Sequence, residues 1–405
     1  MPNNAKTGAE CSARINRAML CAGFSAFALL YCVQPLMPEL ARQFTLTPAQ
    51  SSWSLSVSTL ALAVSLVLGG ALSDRIGRKA LMASALVAAA GLTALSALAQ
   101  NFTQLLVLRA LAGFALGGVP AVAMAYLGEE VDGPSLGLAM GIYIGGTAFG
   151  GTFGRIAASI ISDHLSWRIA MWAMGAAGLA AAYEFWRSLP PPRIVADVEQ
   201  QSALATGTLA HMRDPGLRWL FVFAFLLMGV FVSVYNYISY RLLAAPYGLG
   251  QSMVGAVSVF YLLGIPGAMW AGRLADRIGR RHVLWMVAAL MLAGLLLTLA
   301  SSLTVILAGM ALLTFGFFAS HSVASSWVAR RAKAPRALAS ALYLFFYYLG
   351  SSAIAPIAGW TWTRAGWPGV VGLLSVALGL ALAIALHLRP LVPLGAEGRH
   401  ANLMR

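Results

Sequence analysis

Twelve times along its 405 residues this chain runs for about 20 residues with almost no charge. A helix of that length rises ~30 Å, the thickness of a bilayer's hydrocarbon core. The runs fall at about 18–40, 51–72, 79–99, 102–127, 135–161, 167–189, 217–243, 251–274, 282–300, 303–328, 337–360 and 367–388. Each is continuous and not alternating, which excludes a β-barrel and leaves only helices to satisfy the backbone inside lipid. Sixty per cent of residues are apolar and ten per cent charged, a balance that a soluble domain of this length would not keep. The expected fold class is an all-α membrane protein with twelve transmembrane helices.

The net charge of +14 is explained by where the cations stand. With the N-terminus taken as cytoplasmic, 21 of the 27 Lys and Arg fall in the tails and loops of that side. Only Arg42, Arg168, Arg241 and Arg364 fall on the other, and Arg109 and Arg155 lie inside spans. This positive-inside bias puts both termini in the cytoplasm. It accounts for the charge without nucleic acid as a partner. Cys11, Cys21 and Cys32 show neither a disulfide framework nor a metal motif, and no cleavable signal peptide is evident. No metal or other cofactor is expected, and no nucleophile or Walker motif supports an enzyme.

Two short polar knots interrupt the apolar runs at matching places. Gly70-Ala-Leu-Ser-Asp-Arg-Ile-Gly-Arg-Lys79 returns as Gly272-Arg-Leu-Ala-Asp-Arg-Ile-Gly-Arg-Arg281, seven of ten positions identical at an offset of 202 residues. The chain therefore reads as two homologous halves: a tail (1–17), a six-helix bundle (18–189), a linker (190–216), a second bundle (217–388) and a tail (389–405). Asp74 and Asp276 stand where a helix leaves the bilayer, where a carboxylate can meet a helix N-terminus or an Arg. The alternative is a basic loop that only fixes topology.

The knot pattern resembles the signature loop of the major facilitator superfamily of transporters. Leu105-x-x-x-Arg109-x-x-x-Gly113 is similar to that family's span-4 motif. Gly146-Thr-Ala-Phe-Gly150-Gly151 resembles its span-5 antiporter motif, with Thr147 where the motif has Pro. Leu30-Tyr-Cys-Val-Gln-Pro35, His321-Ser-Val-Ala-Ser-Ser-Trp327 and Tyr343 through Ser352 look like the YnfM-type permeases, a branch grouped with drug and arabinose efflux proteins. The resemblance implies two six-helix bundles that rock about a midplane substrate site. It implies that the gate residues Gly70, Asp74, Arg75, Gly77 and Arg78, with Gly272, Asp276, Arg277, Gly279 and Arg280, latch one state. Asp74 would meet the start of span 11 near Ala337, and Asp276 that of span 5 near Ser135.

An ionisable group inside a span is costly, so it is a functional candidate by default. Arg109 matches a family Arg linked to proton coupling; the alternative is a structural Arg bonding backbone carbonyls between helices. Arg155, nearer the outer end of span 5, reads as structural and able to snorkel outward. No acid falls at a span midpoint: Glu39 stands at the outer rim and Glu184 at the inner end of span 6. Glu39 and His321 complete the proton-coupling candidates, His321 because imidazole titrates near neutral pH. Tyr31, Gln34, Tyr143, Asn236, Tyr240, Tyr343 and Tyr347 are cavity-lining candidates. Asn236/Tyr240 and Tyr343/Tyr347 are i,i+4 pairs, each sharing a helix face. Gly146, Gly150 and Gly154 present bare backbone for helix packing.

The reading that follows is a secondary transporter, monomeric, taking a small-molecule substrate and protons as partners and most simply performing proton-coupled efflux. Proton-coupled uptake of a sugar or organic acid, or a non-transporting membrane sensor, are the alternatives. Without a central carboxylate the cavity suits neutral or anionic solutes better than permanent cations.

Overall fold

The structure, a computed structural model, describes residues 2–131, 133–190, 203–332 and 336–390; of residues 2–11, 69–75, 121, 133–134, 203–207 and 336–337 it describes the backbone alone. Helix α1 (Pro2–Tyr31) is followed by a 3₁₀ turn (Gln34–Leu36) and α2 (Met37–Gln43), which complete the first run. Then come α3 (Pro48–Ile76), α4 (Arg78–Ser96), α5 (Phe102–Leu116), α6 (Pro120–Glu130), α7 (Gly133–His164) and α8 (Trp167–Ser188). The second half holds α9 (Ala203–Arg213), α10 (Pro215–Leu243), α11 (Gln251–Ala256), a 3₁₀ stretch (Val257–Leu263), α12 (Gly264–Ile278), α13 (Arg280–Leu297), α14 (Leu303–Arg331) and α15 (Arg336–His387).

All twelve runs are helical, in an all-α membrane fold. Nine helices among the described residues are long and apolar enough to cross a membrane, and the last of them, Leu338–His387, holds two spans. Its two arms are divided at Gly366, where φ is 59° and ψ −149°, a region open essentially to glycine alone. The sixth run, α8, is diluted by Trp167, Trp172, Trp186, Tyr183 and Glu184. The fourth is broken: Gly117-Gly118-Val119 ends α5, and Pro120, which has no N–H to give, opens α6. The eighth run is broken as well, by the 3₁₀ stretch between α11 and α12, a form that often marks a hinge when it interrupts a helix. The linker holds α9, an element that its polar composition does not advertise.

The chain packs as two compact units. Unit 1 takes in Met1–Glu199, Val232–Leu262 and Ser351–Val370; unit 2 takes in Gln200–Phe231, Leu263–Gly350 and Val371–Arg405. Large apolar residues such as Leu98, Leu138 and Val376 face outward, as lipid as a solvent allows. Small residues hold the interiors. A Cβ on Gly146, Gly150 or Gly154 of α7 would stand 2.9, 2.1 or 2.7 Å from the α1 backbone at Leu20, Phe24 or Ala28. In unit 2 a Cβ on Gly350 of α15 would stand 1.9 Å from the Phe225 carbonyl of α10. The polar side of α3 is buried too, and its Ser51, Ser52, Ser54, Ser58 and Thr59 return their hydroxyls to carbonyls three or four residues back. Polar groups so bonded can lie at membrane depth at little cost.

Candidate functional site

The break in the first run organises the site. Pro35 and Pro38 lack N–H groups, so α1 stops at Tyr31 and the chain continues through a turn at 32–33 and the 3₁₀ turn Gln34–Leu36 into α2, with residues 31–38 all buried. The last carbonyls of α1 then need donors. Arg109, fully buried on α5, supplies them: Nη1 donates to Leu29 O at 3.0 Å and Nη2 to Leu30 O at 2.6 Å. Its Nε donates to Ser54 O on α3 at 3.4 Å. A cation at a helix C-terminus is favourable in itself, so this arginine needs no carboxylate. Directly beside it, Gly113 lets α5 approach Ser58 of α3 so closely that a Cβ would stand 2.1 Å from the Ser58 carbonyl.

A second arginine carries more chemistry than its sequence position suggests. Arg155 is 1% exposed and does not snorkel. Tyr31 and Tyr261 flank its guanidinium, each ring centroid 4.2 Å from Cζ. Its Nε donates to Gln34 Oε1 and its Nη1 to Gly151 O, both at 2.6 Å. Gln34 Nε2 donates in turn to Asn236 Oδ1 at 2.7 Å and to Val232 O at 3.4 Å. The sequence marks Arg155 as a structural arginine able to snorkel but not its partners, because Tyr261 lies about a hundred residues further on, in the 3₁₀ stretch. The readable signal was a second intramembrane cation with no acid to pair it.

Around this relay, in the half of unit 1 nearer the start of α3, further polar side chains meet. Tyr240 Oη lies 2.6 Å from Ser51 Oγ, and Thr59 Oγ1 lies 2.8 Å from Ser352 Oγ. Asp163 Oδ2 accepts from Ser252 N–H at 3.0 Å and from its hydroxyl at 2.6 Å. Tyr237 donates to Ala355 O at 2.7 Å, and Gln251 Nε2 to Pro35 O. Glu39 is occupied: Ser162 Oγ donates to it, as does the Trp167 N–H at 3.2 Å, where α8 begins. Tyr143 is buried on α7, about 18 Å along the helix from Arg155 at 1.5 Å per residue, so it stands apart from this cluster.

In unit 2, His321 Nδ1 lies 3.0 Å from Tyr343 Oη, and its ring sits 4.8 Å from that of Tyr347. Phe317, stacked on Phe231 at 3.6 Å, closes the side of this cluster. One proton-coupling candidate and two cavity candidates are thus neighbours.

The knots are alike in backbone. Gly77 has φ 86° and ψ 142° and Gly279 has φ 90° and ψ 142°, a left-side turn that L side chains resist, and each caps the next helix. Arg78 pairs with Glu129. Asp276, 62% exposed, accepts from Arg280 at 3.0 Å and lies 3.6 Å from Arg330. Gly272 has open space around it and Arg277 is exposed. The side chains of Asp74 and Arg75, like the Cα surroundings of Gly70, lie outside the described residues, as do those of Ala337. Glu184 is bound by Arg17, Arg187 and Ser188.

A duplicated helical bundle with buried polar clusters and broken spans defines a polytopic membrane transporter. The profile of the Major Facilitator Superfamily matches residues 19–268 and 237–401. The chain is 44% identical to the "Uncharacterized MFS-type transporter YybF" of Bacillus subtilis, over 95% of each chain. It is 45% identical to the "Inner membrane transport protein YnfM" of Escherichia coli, over 95% of this chain and 92% of that one. Among solved structures, the nucleoside transporter NupG superposes with a TM-score of 0.76 at 14% identity, over 92% of this chain and 98% of that one. The chain belongs to the major facilitator superfamily.

Proposed function

We propose that this protein is a secondary transporter that moves a small solute across the bacterial inner membrane by alternating access, with proton-coupled efflux as its activity and the monomer as its working form. The observation that carries the reading is the set of side-chain bonds in the half of unit 1 nearer the start of α3. Ser51–Tyr240, Thr59–Ser352, Asp163–Ser252 and Gln34–Asn236 join residues of the first sequence half to residues of the second. Such bonds exchange with water at small net cost, ~1 kcal/mol each, so they suit a gate that must part. An apolar seam would not part so readily.

The positive-inside count supports a periplasmic position for this gate, with both termini in the cytoplasm. The printed name of YnfM supports the inner membrane. Efflux follows the branch resemblance and the glycine motif from Gly146 to Gly151. His321 with Tyr343 is the favoured proton carrier, since Arg109 and Glu39 are both held by backbone donors or acceptors. At the cytoplasmic rim, Asp74 and Asp276 serve as latches. The Asp276 pairs are exposed, worth roughly 0–1 kcal/mol, and so can exchange partners cheaply. Solute uptake into everted vesicles under an imposed pH gradient tests the reading: gradient-dependent accumulation of a solute supports it. Accumulation only in vesicles of the opposite orientation points to uptake instead.

A further inference from the structure

Helix α12 has two unlike faces. Its small residues Gly264, Gly267, Ala271 and Ala275 are buried within unit 2. A Cβ on Gly264 would stand 2.6 Å from the Phe318 ring of α14, and one on Gly267 3.0 Å from the Phe315 carbonyl. The other face carries Pro266, Met269, Trp270, Arg273, Leu274 and Arg277, which line a groove of about 390 Å³. Of these, Pro266, Trp270, Arg273 and Arg277 fall within about 60° of one another on a helix of 3.6 residues per turn. Trp270 is exposed, its ring 5.6 Å from that of Phe315. Arg273 and Arg277 are exposed too, and neither has an ion pair or hydrogen bond among the described residues. As like charges at i,i+4 they repel each other on one helix face. Asp276 is the single acid of α12 to α15, and it turns to Arg280 at 3.0 Å and Arg330 at 3.6 Å. The duplicated knot does not dictate this groove, because the first-half counterparts of Trp270 and Arg273, 202 residues earlier, are Leu68 and Ala71.

The order of residues along the groove is that of a phospholipid. From Pro266 to Arg277 the helix rises about 16 Å, close to one leaflet's share of a ~30 Å hydrocarbon core. Apolar Pro266 and Met269 come first, then Trp270, a residue type of the membrane–water interface, then the two cations. We propose that this groove binds an anionic phospholipid of the cytoplasmic leaflet, its phosphate between Arg273 and Arg277 and an acyl chain along Pro266, Met269 and Trp270. The guanidinium fork matches phosphate oxygens in pairs, and one phosphate between the two arginines relieves their repulsion. A soluble phosphate would use the arginines alone and leave Pro266, Met269 and Trp270 uncovered. A zwitterionic lipid brings the phosphate with its own cation, which the arginines repel. The leaflet follows from the orientation proposed above, whereas the binding holds whether or not the protein transports.

The test is native mass spectrometry of the full-length protein, delipidated in detergent and titrated with dioleoylphosphatidylglycerol or dioleoylphosphatidylcholine, reading the affinity of the first lipid bound. The phosphatidylglycerol is expected to bind roughly tenfold more tightly than the phosphatidylcholine. Arg273→Gln/Arg277→Gln loses most of that difference, with little change for phosphatidylcholine. Arg213→Gln/Arg389→Gln removes the same charge from two other exposed arginines of unit 2 and keeps the wild-type affinities. Trp270→Ala weakens both lipids, and sn-glycerol 3-phosphate at equal concentration displaces neither. Equal affinity of the wild type for the two lipids overturns the proposal. So does an equal loss in the two double variants, which would make the binding a diffuse effect of surface charge. Displacement of phosphatidylglycerol by sn-glycerol 3-phosphate also overturns it, in favour of a soluble-anion site that no chain occupies.

Discussion

Gln34 and Asn236, bonded to each other at 2.7 Å, stand 202 residues apart, the interval that also separates Gly77 from Gly279. They occupy one place in the duplicated sequence, and the two copies of that place meet. In the proposed alternating-access cycle, this meeting point is where the two sequence halves part and rejoin. Arg155 adds to it the asymmetry that two identical halves would lack.

This relation makes a stability prediction. Gln34→Leu leaves Arg155 Nε and Asn236 Oδ1 buried without partners, at about 1–3 kcal/mol for each group. Asn236→Leu removes the second partner as well. The double variant is therefore less destabilised than the two singles summed, and thermal unfolding in detergent for the four members of the cycle checks it. Strict additivity would show that the bond carries no coupling.

Arg109 closes the frayed end of α1, so its loss is predicted to be structural first. Arg109→Ala frees the carbonyls of Leu29, Leu30 and Ser54 together and lowers stability on the order of 3 kcal/mol. Arg109→Lys keeps one donor and part of that stability. Fractions of monodisperse protein after solubilisation report the order wild type, Lys, Ala. Wild-type stability in Arg109→Ala with transport abolished would assign the residue to coupling instead.

Gly150→Val puts branched carbons where the Phe24 carbonyl of α1 already lies. Overpacking of this kind costs about 1–3 kcal/mol, and here it also forces α7 from α1. Gly145→Val, on the same helix with nothing within 4 Å of its Cβ position, is the matched control and leaves the melting temperature unchanged.

The fold's outline was legible in the sequence because its causes are local. Charges cannot sit in hydrocarbon, so the runs and knots mark helix ends wherever they occur. The break in span 1 was legible through Pro35 and Pro38, and the Gly146–Gly154 face through its spacing of four. Span 4 was read as continuous although Gly117-Gly118-Val119-Pro120 carries two helix-weakening residue types in a row. The 3₁₀ stretch at Val257–Leu263 is marked more faintly, by Gly264 and by Pro266, which has no N–H for the Leu262 carbonyl, while the residues of the stretch itself are good span formers. For the candidate site, Tyr31, Gln34 and Asn236 are each legible as cavity candidates, while Arg155, which bonds Gln34 and lies against Tyr31, reads from sequence only as a structural arginine able to snorkel. Whether an arginine near a span end snorkels or turns inward is decided by its neighbours on other helices. Tyr261 belongs to an element distant in sequence, and no local pattern announces it.

Asp214 predicts a pH dependence. Burial raises its carboxyl pKa, but Arg331 at 2.6 and 3.2 Å and the N–H groups of Leu217 and Gly216 outweigh this and hold it below the usual carboxylate range. A carboxyl depressed in the folded state stabilises it above the unfolded pKa, about 3.9. That stability is present at neutral pH and is lost as pH falls below about 4 towards the folded value. Asp214→Asn is expected to unfold more readily at pH 7 and to converge on wild type near pH 3; thermal melts at the two pH values measure the difference. An equal gap at both pH values would contradict it.

The central claim is that the clasp in the half of unit 1 nearer the start of α3 opens and closes as solute moves. Asp163 and Ser252, hydrogen-bonded at 2.6 Å, are side-chain neighbours, and loss of free thiol on oxidation verifies that cysteines in their places have been joined. The measurement is gradient-driven solute accumulation in proteoliposomes of Asp163→Cys/Ser252→Cys, made in a background with Cys11, Cys21 and Cys32 replaced. Accumulation is expected to cease when the pair is oxidised and to return on reduction, with either single cysteine variant indifferent to oxidant. Undiminished accumulation with the pair fully cross-linked would contradict the account, because a gate that never opens cannot pass solute.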